Sequence, residues 1–482
     1  RRDLRALPTF TIDPAGARDF DDAISVRREG EDEDEDEVTV WVHIADVSAY
    51  VGARDPLDRE AYRRGASVYV PGAVEPMLPA ELSNGACSLV PGEDRPAVTV
   101  EMLMRGGDVV NVAFYRSVIR SDRRLTYEQV DRTFAGVESA EGEWGRGLAS
   151  ARTAGRALEA RRSGGAALVL ESSEPEFRFD RHGNVVAVAA SVQTESHRLI
   201  EHLMVAANEQ VARFLQARRI PALYRVHERP EAQSVARMLD QLASLGVPTP
   251  PAGGRGSIVM TPQQAAEVAG EASRMVADWI ASGHGGGGRA LQRIVLRSLK
   301  QAYYDDRNRG HSGLGLASYC HFTSPIRRYP DLVCHRALLS AITGEQPPPE
   351  QSFLAAAGPA CSARERLAVA IERDADDVAR CFLLAHHLAQ EPHGGLETVF
   401  EGEVVGVIGA GAFVAFGAEG HYEGLLPVRR MHDDWWELNE HGTALIGTRT
   451  GGALRLGDSV NVSVGGIDAP RGRVDLLPVD AD

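Results

Sequence analysis

Thr11–Val26 reads T-I-D-P-A-G-A-R-D-F-D-D-A-I-S-V and sets four aspartates within the ten positions from Asp13 to Asp22. Ile12, Phe20, Ala23, Ile24 and Val26 bracket Asp13, Asp19, Asp21 and Asp22, which argues that these carboxylates are partly buried. Like charges held a few ångströms apart repel, and burial raises the cost. A fold that keeps such a cluster does so with a divalent cation, and oxygen-only ligands favour magnesium or manganese. Pro14 and Gly16 allow the chain to turn back and bring Asp13 to the Asp19–Asp22 group. The bland alternative is an acidic turn that caps local backbone amides. A few residues on, Glu29–Glu37 (E-G-E-D-E-D-E-D-E) is denser in acid but holds no apolar residue. That run reads as a solvated loop between two strand-like segments, Ala23–Val26 and Val38–Val47.

The 482 residues are enough for two to four domains. With 43% hydrophobic and 25% charged residues, the composition is that of a globular protein and excludes pervasive disorder. No apolar run approaches the roughly 18–20 residues of a membrane span, and no signal peptide opens the chain. Five cysteines (Cys87, Cys320, Cys334, Cys361, Cys381) make no C-x-x-C pair, which argues against a zinc site or a disulfide framework. The expected compartment is the cytoplasm. The net charge of −16 argues only weakly against a nucleic-acid partner, because acid gathered in one loop and one site says little about the field along a channel. Lys300 is the only lysine, so almost all basic charge is arginine.

Residues 10–120 read as strand-rich, with turn signals at Gly52, Pro71–Gly72 and Pro91–Gly92. Residues 191–215 read as one amphipathic helix with a buried stripe of Ile200, Met204, Ala207, Val211 and Phe214. A second long helix is expected from Leu291 to Asn308, and further helices from Pro330 to about Gln390. Pro248–Ser257 and Gly285–Gly288 read as surface loops. From Glu397 the pattern changes to short strands split by glycine turns, as a small barrel requires. The boundary falls at Glu391–Leu396. The fold class is therefore α+β with an all-β C-terminal barrel.

A second constellation lies in S-Y-C-H-F-T-S-P-I-R-R-Y-P-D-L-V-C-H-R, Ser318–Arg336. Pro330 suits the first residue of a helix, which sets Arg327 and Arg328 just ahead of its N-terminus, where an anion is favoured. A guanidinium there can grip a phosphate and stabilise charge that develops in phosphoryl transfer. The plain reading is a surface arginine pair bound to nearby acids. Tyr69 precedes a proline-braced loop, Val68–Gly72, and aromatics beside a phosphate site often stack on bases. By residue type alone, Tyr69 and Tyr127 read as core or surface tyrosines and Glu201 as a solvent-face acid.

In order and wording these pieces resemble the RNB catalytic domain of the ribonuclease II / ribonuclease R family. D-P-A-G-A-R-D-F-D-D-A-I, V-H-I-A-D-V-S, V-Y-V-P-G…M-L-P-A-E-L-S-N-G-A-C-S-L, P-A-L-Y-R-V-H-E-R-P and H-F-T-S-P-I-R-R-Y-P-D-L-V-C-H-R carry the likeness over roughly residues 3–390. The tail, with G-A-F-V-A-F and G-D-S-V-N-V-S-V-G-G-I-D, resembles an S1 domain, a variant of the OB-fold. The resemblance implies an RNB unit over 1–392 made of mixed sheets and helices around a central channel, with an S1 RNA-binding unit over 397–480. It also implies processive hydrolysis of single-stranded RNA from 3′ to 5′, giving nucleoside 5′-monophosphates and a short limit oligonucleotide by two-metal catalysis. Magnesium is the expected ion, with manganese as a substitute.

By motif, Asp13, Asp19, Asp21 and Asp22 correspond to the metal-binding acids, with Asp21 the aspartate whose loss abolishes catalysis. Arg327 corresponds to the arginine at the scissile phosphate. Tyr69 and Tyr127 correspond to nucleotide-clamping tyrosines, and Glu201 and Glu372 to acids near the terminal nucleotides. Arg328 and, in the barrel, Phe413 and His421 (beside Tyr422) are expected to contact RNA. A third stacking aromatic is expected within Ala167–Phe179, with Leu170 at its position. No DNA substrate and no membrane are expected, and the protein is expected to be a monomer.

The chain departs from the family in three places. It opens just before the aspartate motif, where relatives carry cold-shock or other RNA-binding modules, so a module was either trimmed or never there. Pro427 stands where many S1 domains have a histidine, and the tail P-V-D-A-D lacks a lysine-rich extension. These departures lean the reading toward a ribonuclease II-like enzyme that stalls at duplex. Two rivals remain: a catalytically inactive RNB-fold regulator that binds RNA, and a two-metal phosphoesterase acting on DNA or a small nucleotide.

Overall fold

A computed structural model describes residues 1–28, 37–163, 174–250, 260–283, 287–391, 398–431 and 434–479. Its first half is built on a mixed seven-stranded sheet in the order Arg2–Asp3, Asp108–Arg120, Asp94–Arg105, Glu37–Ala45, Asp22–Arg28, Phe10–Asp13, Arg123–Thr126. The four long central strands pair antiparallel, while the two outer pairings are parallel. β-branched residues dominate these strands: Val38, Val40, Val42 and Ile44 point alternately with Thr39, Trp41 and His43, and all seven are buried. Both faces of the sheet are thus covered, which explains why the run reads as almost continuously apolar.

The helices Gly142–Ser163, Glu195–Ala217 and Tyr329–Thr343 contribute to the main core with Phe10, Ile24, Val100 and Met102. Each such fully buried side chain contributes about 1.5–3 kcal/mol of transfer free energy. One buried polar row crosses the sheet: Thr9 Oγ1 to Ser25 Oγ (2.7 Å), Ser25 to His43 Nε2 (3.1 Å), His43 Nδ1 to Thr99 (2.9 Å) and Thr99 to Ser117 (2.7 Å). Burial pushes His43 down to about 3, so it is a neutral relay of hydrogen bonds and not a charge. The motif V-H-I-A-D-V-S therefore holds the sheet together.

The amphipathic helix spans Glu195–Ala217, close to the expected 191–215. Ile200, Ala207 and Val211 are buried on it, and Met204 and Phe214 pack partly buried against the same core. The helix expected over Leu291–Asn308 is corrected: it spans Gly288–Ser298 and gives way to a strand, Tyr303–Asp305, paired antiparallel with Tyr224–Val226. The tyrosine pair favours an extended, half-buried edge, and Leu299 already leaves the helix in extended conformation. Gly288 opens that helix and so does not belong to the preceding loop. The loops called at Pro248–Ser257 and Gly285–Gly288, the acidic run and the domain boundary lie largely outside the described residues, as does Leu170.

A 40-residue helix, Gln351–Gln390, leads toward the C-terminal region. There Phe400–Ile408, Gly411–Phe416, Tyr422–Pro427, Arg473–Pro478 and Ser459–Asp468 close into a five-stranded barrel, as the glycine-split pattern predicts. Among the described residues no helix is long and apolar enough to cross a membrane.

Candidate active site

The aspartate stretch folds as its turn residues dictate. Ala17 N–H donates to Pro14 O (3.0 Å), and the strands Phe10–Asp13 and Asp22–Arg28 pair antiparallel, so Asp13 and Asp22 sit at neighbouring strand ends. Burial, with the Asp22 charge beside it, pushes Asp13 up to about 7; burial pushes Asp22 up to about 6 against the pull of Arg327 and Arg328. Asp21 is only 4% exposed, and burial raises it well above the carboxylate range although Arg327 and a backbone N–H favour its ionised form.

Three hundred residues away in sequence, the Ser324–Arg328 turn closes over this cluster. Ile326 N–H donates to Asp21 Oδ1 (2.8 Å), and Arg327 Nε stands 3.5 Å from Asp21 Oδ2. The turn is held from behind. The Asp331 carboxylate accepts from Ser324 N–H (2.8 Å) and Arg328 Nη2 (2.8 Å), while Asn208 accepts from Phe322 N–H (2.8 Å). The helix begins at Tyr329 with Arg328 as its N-cap, so Pro330 is its second residue and not its first.

This geometry separates the two arginines. Arg328 is committed to a fully buried partner, whereas Arg327 is 44% exposed and bonds Ser324 Oγ (3.0 Å), with the rest of its guanidinium open to the cavity. A third segment completes the wall. Ser67 N–H donates to Arg327 O (2.9 Å), Tyr69 N–H donates to Glu372 Oε1 (2.8 Å), and the Tyr69 hydroxyl donates to Asp19 Oδ2 (2.7 Å). Tyr69 is 39% exposed. Its hydroxyl is held well above the ordinary tyrosine range by burial and the Asp19 charge.

The cavity beside Tyr69 and Arg327 holds about 1300 Å³ and lies between the N-terminal body, the long helix and the barrel. Glu372, Phe413 and Tyr422 line it; His421 does not, standing 3.4 Å from Glu419 instead. Its wall carries six arginines and eight carboxylates, so the channel is mixed in charge and not basic. Tyr127 stacks on His197 (ring centroids 3.8 Å apart, 15° between planes), and burial with the Asp22 and Asp13 charges holds its hydroxyl above the usual range. Glu201 lies one helical turn beyond His197, exposed and 4.0 Å from Arg162, and does not line the cavity.

Sequence reasoning missed His197, although its four-residue spacing from Glu201 was a usable signal. Phe177 and Phe179, which line the cavity wall, fall within Ala167–Phe179, where a third stacking aromatic is expected without being assigned to either of them. Gly72, at φ +79°, turns the chain where a Cβ would be strained and would come within 3.2 Å of the Phe179 ring, so glycine suits the close approach of the Tyr69 loop to Phe179.

Asp13 Oδ2 and Asp21 Oδ2 are buried and accept no hydrogen bond. Buried oxygen acceptors without donors suit a hard divalent cation. Among the described residues no three acidic, histidine or cysteine side chains are already drawn together tightly enough to hold an ion, so the carboxylates form an open set and not a closed cage.

A family model described as the RNB domain matches residues 1–344, and one described as the S1 RNA binding domain matches residues 395–477. The chain is 35% identical to Ribonuclease R of Escherichia coli, over 100% of this chain and 58% of that protein. It is 36% identical to Ribonuclease R of Aquifex aeolicus, over 99% and 64% respectively. The chain thus spans about three-fifths of the length of these curated relatives. Among solved structures, RNase R of Mycoplasma genitalium in complex with ribose methylated single-stranded RNA superposes with a TM-score of 0.87 at 27% identity, over 99% of this chain and 72% of that one. Both curated relatives carry the ribonuclease R name, so the lean toward a ribonuclease II-like member gains no support from them.

Proposed function

The chain belongs to the RNB-domain family, and from that premise we propose that it is a hydrolytic 3′→5′ exoribonuclease acting on single-stranded RNA. The observation that carries the reading is the meeting of Arg327 with a buried Asp21 whose second carboxylate oxygen accepts no hydrogen bond, at the edge of a cavity large enough for several nucleotides. In this reading the RNB unit is residues 1–392, since the long helix packs on it through Glu372, and the S1 unit is residues 397–480.

Asp13, Asp19, Asp21 and Asp22 would hold two magnesium ions, with manganese as substitute. When bound, such ions activate water for attack on phosphorus and neutralise the departing 3′ oxygen. The protein's own groups do the rest. Arg327, positioned by Asp21 and Ser324, donates to the non-bridging oxygens of the scissile phosphate and stabilises the charge that builds there. Tyr69, with its hydroxyl tied to Asp19 and its amide to Glu372, presents a fixed ring to the terminal base. Tyr127, braced by His197, lies near Asp22 and Asp13. Arg328 supports Arg327 through Asp331, and Glu201 remains an outer contact at most. Phe413 and Tyr422 bring the barrel to the same cavity, and His421 lies just outside it. Enclosure between two units keeps the strand bound between successive cuts, which makes degradation processive and ends it at a short oligonucleotide. The products are nucleoside 5′-monophosphates.

The test uses single-stranded RNA labelled at its 5′ end, with magnesium, for wild type and Asp21→Asn. A 3′→5′ ladder that collapses to a short limit product is expected for wild type only. DNA of the same sequence should survive. Equal degradation by both proteins removes Asp21 from the mechanism; binding without cleavage by both leaves an inactive RNA-binding regulator.

A further inference from the structure

The turn that joins Asp13 to Asp19 has little packing of its own, since Pro14, Ala15 and Gly16 are all exposed. Its far arm is tied down: Phe20 N–H donates to Ser88 Oγ (3.0 Å), and the Ser88 hydroxyl donates to Arg18 O (2.8 Å). Its near arm, just past Asp13, is held by Arg124. That residue lies on the edge strand Arg123–Thr126, which pairs parallel with Phe10–Asp13 and sets Arg124 opposite Thr11. Arg124 Nη2 donates to Pro14 O (2.7 Å) and to Ala15 O (2.6 Å), and Pro14 O also accepts from Ala17 N–H (3.0 Å). The same guanidinium lies over the Phe20 ring, 5.5 Å from its centroid.

One side chain therefore touches both arms of the stretch that carries the aspartates: Pro14 follows Asp13, and Phe20 lies between Asp19 and Asp21. Arg124 Nε is buried and makes no hydrogen bond, so the guanidinium is aligned on the loop at the expense of that donor. Its charge acts on Asp13 as well. Charge and brace have opposite consequences for a bound cation. A positive charge beside the carboxylates repels a divalent ion. A fixed loop instead keeps the carboxylates from spreading under their mutual repulsion, and groups that orient ligands contribute about 10–100-fold to metal affinity.

We propose that Arg124 is a positioning residue for the divalent-cation site: it braces the loop from Asp13 to Phe20 so that Asp13 stays with Asp19, Asp21 and Asp22 before an ion binds. The proposal rests on the reading of these aspartates as metal ligands given above. It assigns Arg124 no contact with the ion or with RNA.

The test measures binding of Mn2+ to the full chain, from the paramagnetic resonance signal of the free ion, together with the melting temperature in EDTA. Wild type is compared with Arg124→Met, which keeps an unbranched stem without charge or donors, and with Arg124→Lys, which keeps one charged nitrogen. A single nitrogen, Nη2, makes both bonds to the loop, so lysine can replace it. Arg124→Met should weaken Mn2+ binding at least about tenfold, the lower end for loss of a group that orients a ligand. Its melting temperature in EDTA should stay essentially unchanged, because the freed carbonyls lie on an exposed turn and return to water. Arg124→Lys should restore most of the lost affinity. Unchanged Mn2+ affinity in Arg124→Met overturns the proposal, and tighter binding overturns it in favour of a purely electrostatic role. Equal weakening in both variants with a lowered melting temperature in EDTA overturns it in favour of a general structural role. A wild type that binds no Mn2+ overturns the metal reading of the aspartates and this inference together.

Discussion

Asp21 and Asp58 are almost equally buried, at 4% and 5% exposure, and both face the segment Ser324–Arg336, yet they are treated oppositely. Asp58 Oδ1 accepts from Arg336 Nη1 (2.8 Å) and the Tyr329 hydroxyl (2.9 Å), while its other oxygen accepts from Arg54 N–H (2.7 Å). Asp21 accepts one backbone N–H, keeps Arg327 at 3.5 Å, and leaves one oxygen without a hydrogen bond. Asp58 has donors on both oxygens, and Asp331, whose Oδ2 accepts none, has its charge met by Arg328 at 2.8 Å; an unpaired buried charge would cost several kcal/mol. Asp21, beside the cavity-lining Arg327, is left unsaturated by the rest of the structure, which suits it to a cationic ligand.

The largest effect expected from this contrast is on activity. Asp21→Asn should lower exonuclease kcat by at least about ten-thousandfold, roughly 5 kcal/mol of barrier, while leaving the metal-free melting temperature unchanged or higher, since a desolvated charge is removed. A melting temperature that falls sharply would place Asp21 with Asp58 among the structural acids. Asp58→Ala should do the reverse. Leaving Arg336 buried without its partner should cost about 3–5 kcal/mol in urea unfolding, with residual activity per folded molecule near wild type.

A third outcome concerns protons and cations at the site. The carboxyls of Asp13 and Asp22 stand at about 7 and about 6, above their ordinary value of 3.8. Folding therefore takes up protons, and the stability these groups contribute is fully present below about pH 4 and lost as pH rises through 6 to 7. In EDTA, wild type should lose more melting temperature between pH 5 and pH 8 than Asp13→Asn/Asp22→Asn. Added magnesium should raise the melting temperature more at pH 8 than at pH 5. The smallest effect is that of Tyr69→Phe, which keeps the ring and removes the hydrogen bond to Asp19; it should raise KM by a factor of roughly 2–10, as expected for about 0.5–1.5 kcal/mol. A loss of kcat with unchanged KM would move Tyr69 from binding to the reaction itself.

Much of this contrast was legible in the chain. Four acids among apolar residues and turn formers already implied a charge cluster held at a cost, and the glycine-split strands after residue 397 already implied a barrel. Alternating valines gave the sheet, and the 3.6-residue period gave the helix at Glu195–Ala217. The strand at Tyr303–Asp305 was missed because its pairing partner, Tyr224–Val226, is some eighty residues away and propensity alone does not see it. Arg327 and Arg328 were indistinguishable by residue type; only the position of Asp331 commits one and frees the other.

The sequence alone determined the kinds of group available and their local spacing: carboxylates within one turn, an arginine pair before a helix, aromatics on short loops. Local spacing sets which side chains share a turn, because backbone geometry is short-ranged. The tertiary structure alone decided which acid is saturated and which is left open, that Arg327 meets Asp21 across three hundred residues, and that helix, body and barrel enclose one cavity. Those outcomes depend on packing between elements far apart in the chain, where burial fixes the cost of each charge and the positions of its partners decide whether that cost is met.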